Sequence, residues 1–423
     1  MRTMKRVAAV ALSVVVLMTS GVSAKAAVTD VQPAKSSSEA VLKWAKKVGE
    51  PFDEKTYANN TVSKIKLVGN YLYVADDAKH RIMKIDKKDG TILKEQKYCD
   101  ESYIQGYVSS IGYGDGKVYV GYDNGRVQAF DENTLESLWI TDENKNAINS
   151  DFVFTNGKLY FGTTAKTTDW YDNGAPFSYY VVTTSDDDKT KPDEEKTMKK
   201  VVESKTGKFY LKKGVVLGKY IVISDTAGTL TMIDTTNDKV TDTKDIGEAF
   251  SGNITYDEMT GTIYFVAGTN DLYGIKVSAD GKLKDEKKVR LYETGYSATT
   301  PEVYNGKVYV SGSKGKAFQD KGYMAVADVS SDKYKVNYTV ELSNYSQCEP
   351  TIVKTGENSV RVYFTINDEP GGIYAIEDSK DATSATLETV YEPTGDIKNT
   401  GCMSDVVVDE DGTIYFANDS KYI

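Results

Sequence analysis

The chain is poor in the residues that build most catalytic and metal sites. Its 423 residues include one histidine, three cysteines and three tryptophans. A single histidine excludes zinc sites that need several imidazoles, and it leaves a nucleophile–histidine–carboxylate arrangement only if His80 itself serves. His80 stands between Lys79 and Arg81 in a predicted loop, so we interpret it as a solvated residue.

The three cysteines, Cys99, Cys348 and Cys402, allow at most one intramolecular disulfide. Cys348 and Cys402 precede equivalent strands of neighbouring repeats, so a bond between them is one interpretation. A disulfide requires Cα atoms within about 7 Å, which sequence spacing does not guarantee. Free, partly buried thiols are the simpler interpretation.

Long apolar runs are absent beyond the N-terminus. Residues 1–26 combine Arg2, Lys5 and Arg6 with an apolar run over 7–18 and small residues near Ala26, a pattern typical of a cleavable signal peptide. The run is short for a bilayer span, although an uncleaved anchor is the alternative. Because no cysteine lies near the cleavage region, a lipid anchor has no acceptor. We expect a secreted or extracytoplasmic protein without a membrane span.

The net charge narrows the class of partner. It is -10 for the whole chain, and removing the four basic residues of the signal peptide leaves -14. An acidic excess of this size argues against nucleic acid or anionic lipid as the main partner. It carries no information about the fold.

One short motif recurs along the chain. Residues 116–121 read Gly-Lys-Val-Tyr-Val-Gly, and their apolar residues follow one another without alternation, which is typical of a strand covered on both faces. Spacings of roughly 40 to 60 residues between copies are those of propeller blades. With this copy, eight related cores are present, the others beginning at Tyr71, Lys158, Lys219, Thr262, Lys307, Arg361 and Thr413.

The residues around each core predict the remaining strands. Most copies are followed by a strand that ends in an acidic residue, as in 82–86, and then by a more polar strand, as in 91–94, which suits an outer edge. Sustained helical periodicity is absent. We predict an all-β fold, an eight-bladed β-propeller of four-stranded antiparallel blades. Seven blades is the alternative, because the third blade is irregular.

The two ends of the chain predict how the ring closes. The last copy lacks an outer strand, and residues 41–48 form a strand with no blade of its own. Trp44 in Leu-Lys-Trp resembles Trp139 in Ser-Leu-Trp on the outer strand of the second blade. We therefore expect the N-terminal strand to complete the last blade, with a propeller over 41–423 and a linker over 27–40. The stop at Ile423 in mid-strand indicates either a short last blade or a fragment.

Two inserts set the third blade apart. The first, residues 163–178, contains Trp170, Tyr171 and Asp172, which we interpret as candidate ligand-binding residues. The alternative is a hydrophobic cap on the neighbouring blade. The second insert, residues 185–195, is a run of charges that we expect to be a solvated loop.

The repeat of residues 116–139, with Gly-Lys-Val-Tyr-Val, Gly-Arg-Val-Gln-Ala-Phe-Asp and Thr-Leu-Glu-Ser-Leu-Trp, resembles that of the pyrroloquinoline-quinone-like β-propellers. That group includes quinoprotein alcohol dehydrogenases and the scaffold propeller of the outer-membrane assembly machinery. The resemblance covers about 41–423 and implies a fold more than a chemistry.

The enzymes of that group hold a quinone between a tryptophan and a disulfide of adjacent cysteines, beside calcium bound by Glu, Asn and Asp. Here no two cysteines are adjacent, and only Trp170 is not assigned to an outer strand. We therefore expect no cofactor and no metal. The sequence looks closer to the exported, non-enzymatic members, whose role is binding or scaffolding.

The innermost strands of a propeller start at one mouth of its central channel, where ligands commonly bind. Alignment of the blades predicts a polar, somewhat acidic ring there, and a water-filled lining without a ligand is the alternative. It comprises Ser109, Ser110, Asn149, Ser150, Asp151, Asn253, Thr299, Thr300, Glu349, Ser404 and Asp405. From these we select as candidate ligand-binding residues Asn149, Asp151, Asn253, Glu349 and Asp405.

No catalytic residue is assigned from the sequence. A glycosidase-like carboxylate pair is defined by separation in space and is not located by sequence. Residues 409–412, Asp-Glu-Asp-Gly, read as a hairpin turn rather than a calcium loop, and the recurring tyrosines read as packing rather than carbohydrate-binding residues. The expected function is a monomeric, exported, non-catalytic binding or scaffold propeller that contacts a protein or cell-surface glycan; the alternative is an extracellular enzyme.

Overall fold

The computed structural model describes residues 26–49, 62–99, 111–166, 175–185, 194–315, 321–398 and 401–423. These ranges form eight sheets, the blades of a β-propeller, which are antiparallel except for one parallel pair in the second, and their only helices are the short 3-10 turns Asp77–Lys79 and Gly395–Ile397. No helix in the described ranges has the length and apolar character to cross a membrane. The predicted all-β propeller is confirmed.

The first three blades contain the strands nearest the N-terminus. Blade one consists of β1 (Lys66–Val68), β2 (Tyr71–Asp76), β3 (Arg81–Asp86) and β4 (Ile92–Lys97). Blade two consists of β5 (Gly112–Gly114), β6 (Lys117–Gly121), β7 (Val127–Asp131) and β8 (Ser137–Thr141). Blade three and the segments inserted next to it contain β9 (Ala147–Ile148), β10 (Val153–Thr155), β11 (Lys158–Thr164), β12 (Phe177–Thr183), β13 (Glu194–Lys196) and β14 (Lys199–Ser204).

The remaining blades follow in chain order. Blade four is β15 (Val215–Leu217), β16 (Tyr220–Ser224), β17 (Thr229–Asp234) and β18 (Lys239–Asp245), and blade five is β19 (Phe250–Asp257), β20 (Thr262–Ala267), β21 (Asp271–Val277) and β22 (Leu283–Arg290). Blade six is β23 (Glu302–Tyr304), β24 (Lys307–Ser313), β25 (Gly322–Asp328) and β26 (Lys335–Leu342). Blade seven is β27 (Thr351–Lys354), β28 (Ser359–Thr365), β29 (Ile373–Ser379) and β30 (Leu387–Tyr391), and blade eight contains β31 (Val407–Val408) and β32 (Ile414–Tyr415).

The second strand of a blade is buried on both faces. Every residue of β6 is buried; Val118 and Val120 pack towards blade one, whereas Tyr119 packs towards blade three. Because successive side chains of a strand point to opposite faces, a strand between two neighbouring blades needs apolar residues at every position. This explains the unbroken apolar run of the recurring motif.

The recurring tyrosine of the second strand also ties one blade to the next. The Tyr73 hydroxyl donates to the Glu132 carbonyl oxygen in blade two at 2.6 Å, and the Tyr160 hydroxyl donates to Asp238 Oδ1 in blade four at 2.6 Å. The Tyr309 hydroxyl does the same with Asp378 of blade seven, at 2.7 Å. These bonds give the tyrosines a packing role between sheets.

The N-terminal segment closes the ring, as the sequence predicts, and its Lys47 forms an antiparallel bridge with Tyr422. Lys46 and Ile423 exchange two backbone hydrogen bonds of 2.8 and 3.0 Å, and the Val48 N–H donates to the Lys421 carbonyl oxygen at 2.9 Å. Val48 is buried in the core shared with blade one. Trp44 lies 6.1 Å from Tyr415, ring centre to ring centre, matching the 5.7 Å between Trp139 and Tyr119 in blade two.

The segment ahead of that strand is bound to the propeller. Ala27 pairs in parallel with Val353 of β27, and the Asp30 and Ser37 N–H groups donate to carbonyl oxygens of Glu410 and Thr389. The residues predicted to form a linker over 27–40 therefore lie on blades seven and eight.

The prediction of a solvated loop over 185–195 is wrong at its C-terminal end. Glu194 and Glu195 belong to β13, which pairs in parallel with β8 as a fifth strand of blade two. An outer strand presents unpaired backbone groups, so covering it with a strand satisfies them. Residues 186–193 of that loop lie outside the described residues.

Candidate functional site at the channel mouth

A hydrogen bond anchors the residue that precedes several inner strands. The side-chain oxygens of Ser63, Ser150 and Ser404 accept backbone N–H groups from the second strand of their own blade or its continuation, at 2.9, 2.7 and 3.3 Å. Cys348 Sγ takes the same role at 3.2 Å from the Thr365 nitrogen. This recurring contact fixes the backbone where each inner strand begins, and so positions the residue that follows.

The residues that follow these anchors contact one another. Lys64 Nζ lies 2.8 Å from Asp405 Oδ2, and the Glu349 N–H donates to Asp405 Oδ1 at 2.8 Å. Lys213 Nζ lies 2.7 Å from Glu349 Oε1. Because Lys213 precedes blade four and Glu349 precedes blade seven, this ion pair joins blades that are not neighbours in the ring. The channel mouth is therefore bridged by charged side chains.

Neutral residues extend the network through blades five and six. The Lys213 N–H donates to Asn253 Oδ1 at 3.0 Å, and Asn253 Nδ2 donates to Thr300 Oγ1 at 3.2 Å. Asn253 thereby uses both its acceptor and its donor on neighbouring blades.

The ion pairs at the channel mouth determine which of their side chains are charged. Burial opposes ionisation of Glu349, but Lys213 and Lys64 outweigh it and lower the pKa of that carboxyl to about 2. Burial would likewise lower the pKa values of Lys64 and Lys213, yet the facing carboxylates Asp405 and Glu349 raise them. Both lysines are cationic in this setting.

The pKa of Glu302, on β23, is shifted in the opposite direction from that of Glu349. Burial, and then the negative charge of Glu349, raise its pKa well above the ordinary value. The two carboxyl groups are hydrogen-bond neighbours, so one proton between them removes the repulsion of adjacent carboxylates. Asp405 also has a raised pKa, because burial and Glu349 together exceed the effect of Lys64.

The structure brings together part of the predicted set. Asn253, Glu349 and Asp405 are in the bonded network, and Asp151 lies close enough to affect the pKa values of Lys64 and Lys213. Asn149 is buried, and its carbonyl oxygen accepts the Leu211 N–H at 2.7 Å, which ties it to the approach to blade four. The predicted residues Trp170, Tyr171, Asp172, Ser109 and Ser110 lie outside the described residues.

Sequence reasoning missed the basic half of the site and one acid, namely Lys64, Lys66, Lys213 and Glu302. The signal for Lys64 and Lys213 is positional: each follows the anchor position of its blade as Asp405 follows Ser404. Lys66 and Glu302 lie two residues further along strands of the same kind, on the same face as the ring.

Lys212 occupies the anchor position of blade four. Its ammonium is buried and donates to the carbonyl oxygens of Phe250 and Gly252 at 2.9 and 2.6 Å, so it ties blade four to blade five. Burial lowers its pKa to about 7, an effect that Asp225 only partly offsets.

The described residues do not fit a quinone and calcium site of the dehydrogenase type. Cys99, Cys348 and Cys402 form no disulfide with one another, and Trp139 is wholly buried inside blade two. Across the described ranges, no cluster of three or more His, Cys, Asp or Glu side chains has the arrangement of a metal site. No described tryptophan faces a disulfide, so the stacking surface that such a cofactor needs is missing from these residues.

Solved structures with the same architecture include natural and designed propellers. BamB from Moraxella catarrhalis superposes with a TM-score of 0.58 at 13% identity, covering 90% of this chain and 96% of that one. Quinohemoprotein alcohol dehydrogenase ADHIIG from Pseudomonas putida HK5 has a TM-score of 0.61 at 12% identity, covering 92% and 74%. The computationally designed Ika8 protein has a TM-score of 0.54 at 10% identity, covering 89% and 99%.

These similarities show the fold of the pyrroloquinoline-quinone-like β-propellers. No protein-family model and no curated protein sequence matches the chain. At such low identity a shared fold does not transfer chemistry, since both a BamB and a dehydrogenase share it.

Proposed function

We propose that this protein is an exported, non-catalytic binding or scaffold propeller that contacts a protein or glycan at the bacterial cell surface or envelope. The observation that carries the proposal is the ion pair between Lys213 and Glu349 across the channel mouth. Together with the pair of Lys64 and Asp405, it occupies the polar groups that a channel ligand would use. A ligand there would have to separate these partly buried ion pairs, which is costly.

The loop of blade three is the better candidate for partner binding. Its C-terminal end is held in place, because Lys145 Nζ and Asn146 Nδ2 donate to the carbonyl oxygens of Ala175 and Pro176, each at 3.2 Å. A loop fastened at its base to a rigid scaffold is a common way to present binding residues. Trp170 and Tyr171 are of the residue types that dominate binding energy at protein interfaces.

The test replaces Trp170, Tyr171 and Asp172 together with alanine and measures binding to a glycan array and to isolated envelope fractions. We expect binding to fall at least tenfold while the thermal unfolding midpoint stays the same. The matched control replaces Asp186, Asp187 and Asp188, in the charged loop of the same blade, with alanine. Equal binding by both variants would remove the Trp170 loop from the proposal.

An enzyme is the second candidate, and the Glu302 and Glu349 pair favours it. Two carboxyl groups whose pKa values are driven apart are the usual acid and base of hydrolytic sites. However, glycosidases place these groups about 5 Å or more apart, whereas Glu302 and Glu349 are hydrogen-bond neighbours. Product analysis of bound glycans tests this candidate, since cleavage that disappears in Glu349→Gln would establish it.

The quinoprotein version of that candidate has a direct optical test. Purified protein is incubated with pyrroloquinoline quinone and Ca²⁺, passed through a desalting column, and examined for the quinone absorbance. We expect none to be retained, and a stoichiometric bound chromophore would contradict the proposal.

A further inference from the structure

At the channel mouth, Lys64 and Lys213 are held by carboxylates, whereas Lys66 is not. Lys64 Nζ lies 2.8 Å from Asp405 Oδ2, and Lys213 Nζ lies 2.7 Å from Glu349 Oε1. Lys66 follows Lys64 by two residues, so the two side chains lie on the same face of the inner strand of blade one. Within the described residues, the Lys66 ammonium has neither a hydrogen bond nor an ion pair. It is therefore the unpaired cation of this set.

The residues at the equivalent position of the other blades are nearly all neutral. Lys66 pairs with Tyr73 of β2, and the equivalent residue of each other blade pairs with the matching residue of its own second strand. These residues are Gly112, Val153, Val215, Thr255, Glu302, Thr351 and Val407. Glu302 has a raised pKa, which favours its neutral acid form. Lys66 is then the charged member of the set.

The surroundings of Lys66 favour the neutral form of its amine. Burial lowers the pKa of Lys66, and the ammonium of Lys213 lowers it further, while Asp151 and Glu349 act in the opposite direction. A lysine that is withdrawn from water beside another cation loses its proton more readily, and the free amine is a nucleophile. Lys66 therefore differs from Lys64, whose pKa is raised because it faces Asp405.

Lys212 shows that a lowered pKa is not sufficient for a reactive amine. Burial lowers the pKa of Lys212 to about 7. However, Lys212 is only 3% exposed, and its ammonium donates to the carbonyl oxygens of Phe250 and Gly252 at 2.9 and 2.6 Å. A reagent reaches that nitrogen only by parting blade four from blade five. Lys66 is partly exposed to solvent and has no such bonds to break.

We propose that Lys66 is a covalent binding site for small aldehydes that enter the channel. The lone pair of its nitrogen forms a bond to the carbonyl carbon, and one proton moves from the nitrogen to the carbonyl oxygen. The hydroxyl group then leaves as water with the second nitrogen proton, and a C=N bond, an imine, remains. Amine and aldehyde thus give imine and water, with no oxidant or reductant. The site goes beyond the proposed binding function, because it uses neither the Trp170 loop nor a macromolecular partner.

The experiment traps the imine. Purified chain is incubated at pH 7 with glycolaldehyde and sodium cyanoborohydride, which reduces an imine to a stable secondary amine, and the modified lysines are mapped by mass spectrometry. We expect Lys66 to be modified roughly tenfold faster or more than Lys64, the matched lysine two residues away that Asp405 holds. Exposed Lys88 gives the rate of a solvated lysine, and we expect Lys66 to exceed it several-fold. Lys212 should remain unmodified while the chain is folded.

Two variants test the cause of the reactivity. Lys213→Gln removes the neighbouring cation and leaves Glu349 without its partner, so modification of Lys66 at pH 7 should fall several-fold and recover when the pH is raised to 10. Lys66→Arg keeps the positive charge but forms no imine, so the adduct should disappear without a change in the unfolding midpoint. Equal rates for Lys66 and Lys88 in the parent chain, or an unchanged rate for Lys66 in a folded Lys213→Gln variant, would overturn the proposal.

The aldehyde site and the binding function fail separately. If Lys66 is unreactive while the Trp170 loop variant still loses glycan or envelope binding, the aldehyde site is wrong and the binding function stands.

Discussion

Blade two and blade eight are built around the same aromatic pair but are finished differently. In blade two, β7 lies between Tyr119 and Trp139, and β13 covers the outer edge of the sheet. In blade eight, the ring centres of Tyr415 and Trp44 lie 6.1 Å apart, and the outer edge is formed by a segment from the other end of the chain. The repeated residues thus determine the interior of a blade, whereas segments outside the repeat determine its edge.

The largest difference in stability between the two blades is expected when the tryptophan of each is replaced with alanine. Trp139 is fully buried and Trp44 only partly, so Trp139→Ala should lower the free energy of unfolding by about 4 kcal/mol and Trp44→Ala by about 2 kcal/mol. Urea unfolding of both variants measures the difference. Equal losses would mean that blade eight is as closely packed around its tryptophan as blade two.

The second test concerns the strand that closes the ring. Val48 is 1% exposed and Val41 is 83% exposed in the same segment. Val48→Asp buries a carboxylate in the core shared with blade one, so it should cost about 3 kcal/mol or more. Val41→Asp is the matched control, expected to change stability by less than about 0.5 kcal/mol. A stable Val48→Asp variant would show that closure does not depend on this strand.

The third test concerns the ion pair at the channel mouth that joins blade seven, through Glu349, to Lys213 at the start of blade four. The pKa of Glu349 lies near 2 in the fold against an ordinary 4.5, so its ionised form stabilises the fold above about pH 4.5 and this contribution is lost as the pH falls towards 2. Glu349→Gln should therefore cost on the order of 2 kcal/mol at pH 7, with the deficit shrinking towards pH 2.

Glu302→Gln is the matched variant and has the opposite sign. Because the folded chain raises the pKa of Glu302, ionising that carboxyl destabilises the fold as the pH rises above its ordinary 4.5. An amide removes this penalty and still donates a hydrogen bond, so Glu302→Gln should be at least as stable as the parent chain at pH 7. Thermal unfolding between pH 2 and pH 8 separates the two; parallel profiles would contradict the pairing.

Residues that repeat could be interpreted from the sequence alone. The unbroken apolar run of β6 predicted a strand buried on both faces, and the likeness of Trp44 to Trp139 predicted the closing strand. Both inferences succeed because each residue has relatives in the same structural position, so one physical explanation covers every copy. The acids at the channel mouth were found in the same way, by aligning blades.

The parts of the fold and of the candidate site that the sequence did not predict depend on contacts between residues far apart in sequence. The pair of Lys213 and Glu349 joins positions 136 residues apart, and nothing near either residue indicates the other. The pairing of β13 with β8 was missed for a similar reason: a charged segment reads as solvated unless the exposed edge that it covers is known. Sequence periodicity reports burial within a strand, but not which distant edge remains unpaired.

The smallest expected effect concerns the outer edge of blade two, which β13 covers. Weakening that cover makes the edge of blade two more like that of blade eight. Lys196 on β13 places its Nζ 5.3 Å from the centre of the Trp139 ring and donates to the Ser185 carbonyl oxygen. Lys196→Ala removes both contacts and should cost about 1 kcal/mol, while Lys196→Met keeps the apolar stem and should cost less. Hydrogen exchange should accelerate at the backbone amides of β8 and stay unchanged in β6, because only the outer strand loses its cover. Unaltered exchange in β8 would mean that backbone pairing alone holds β13 in place.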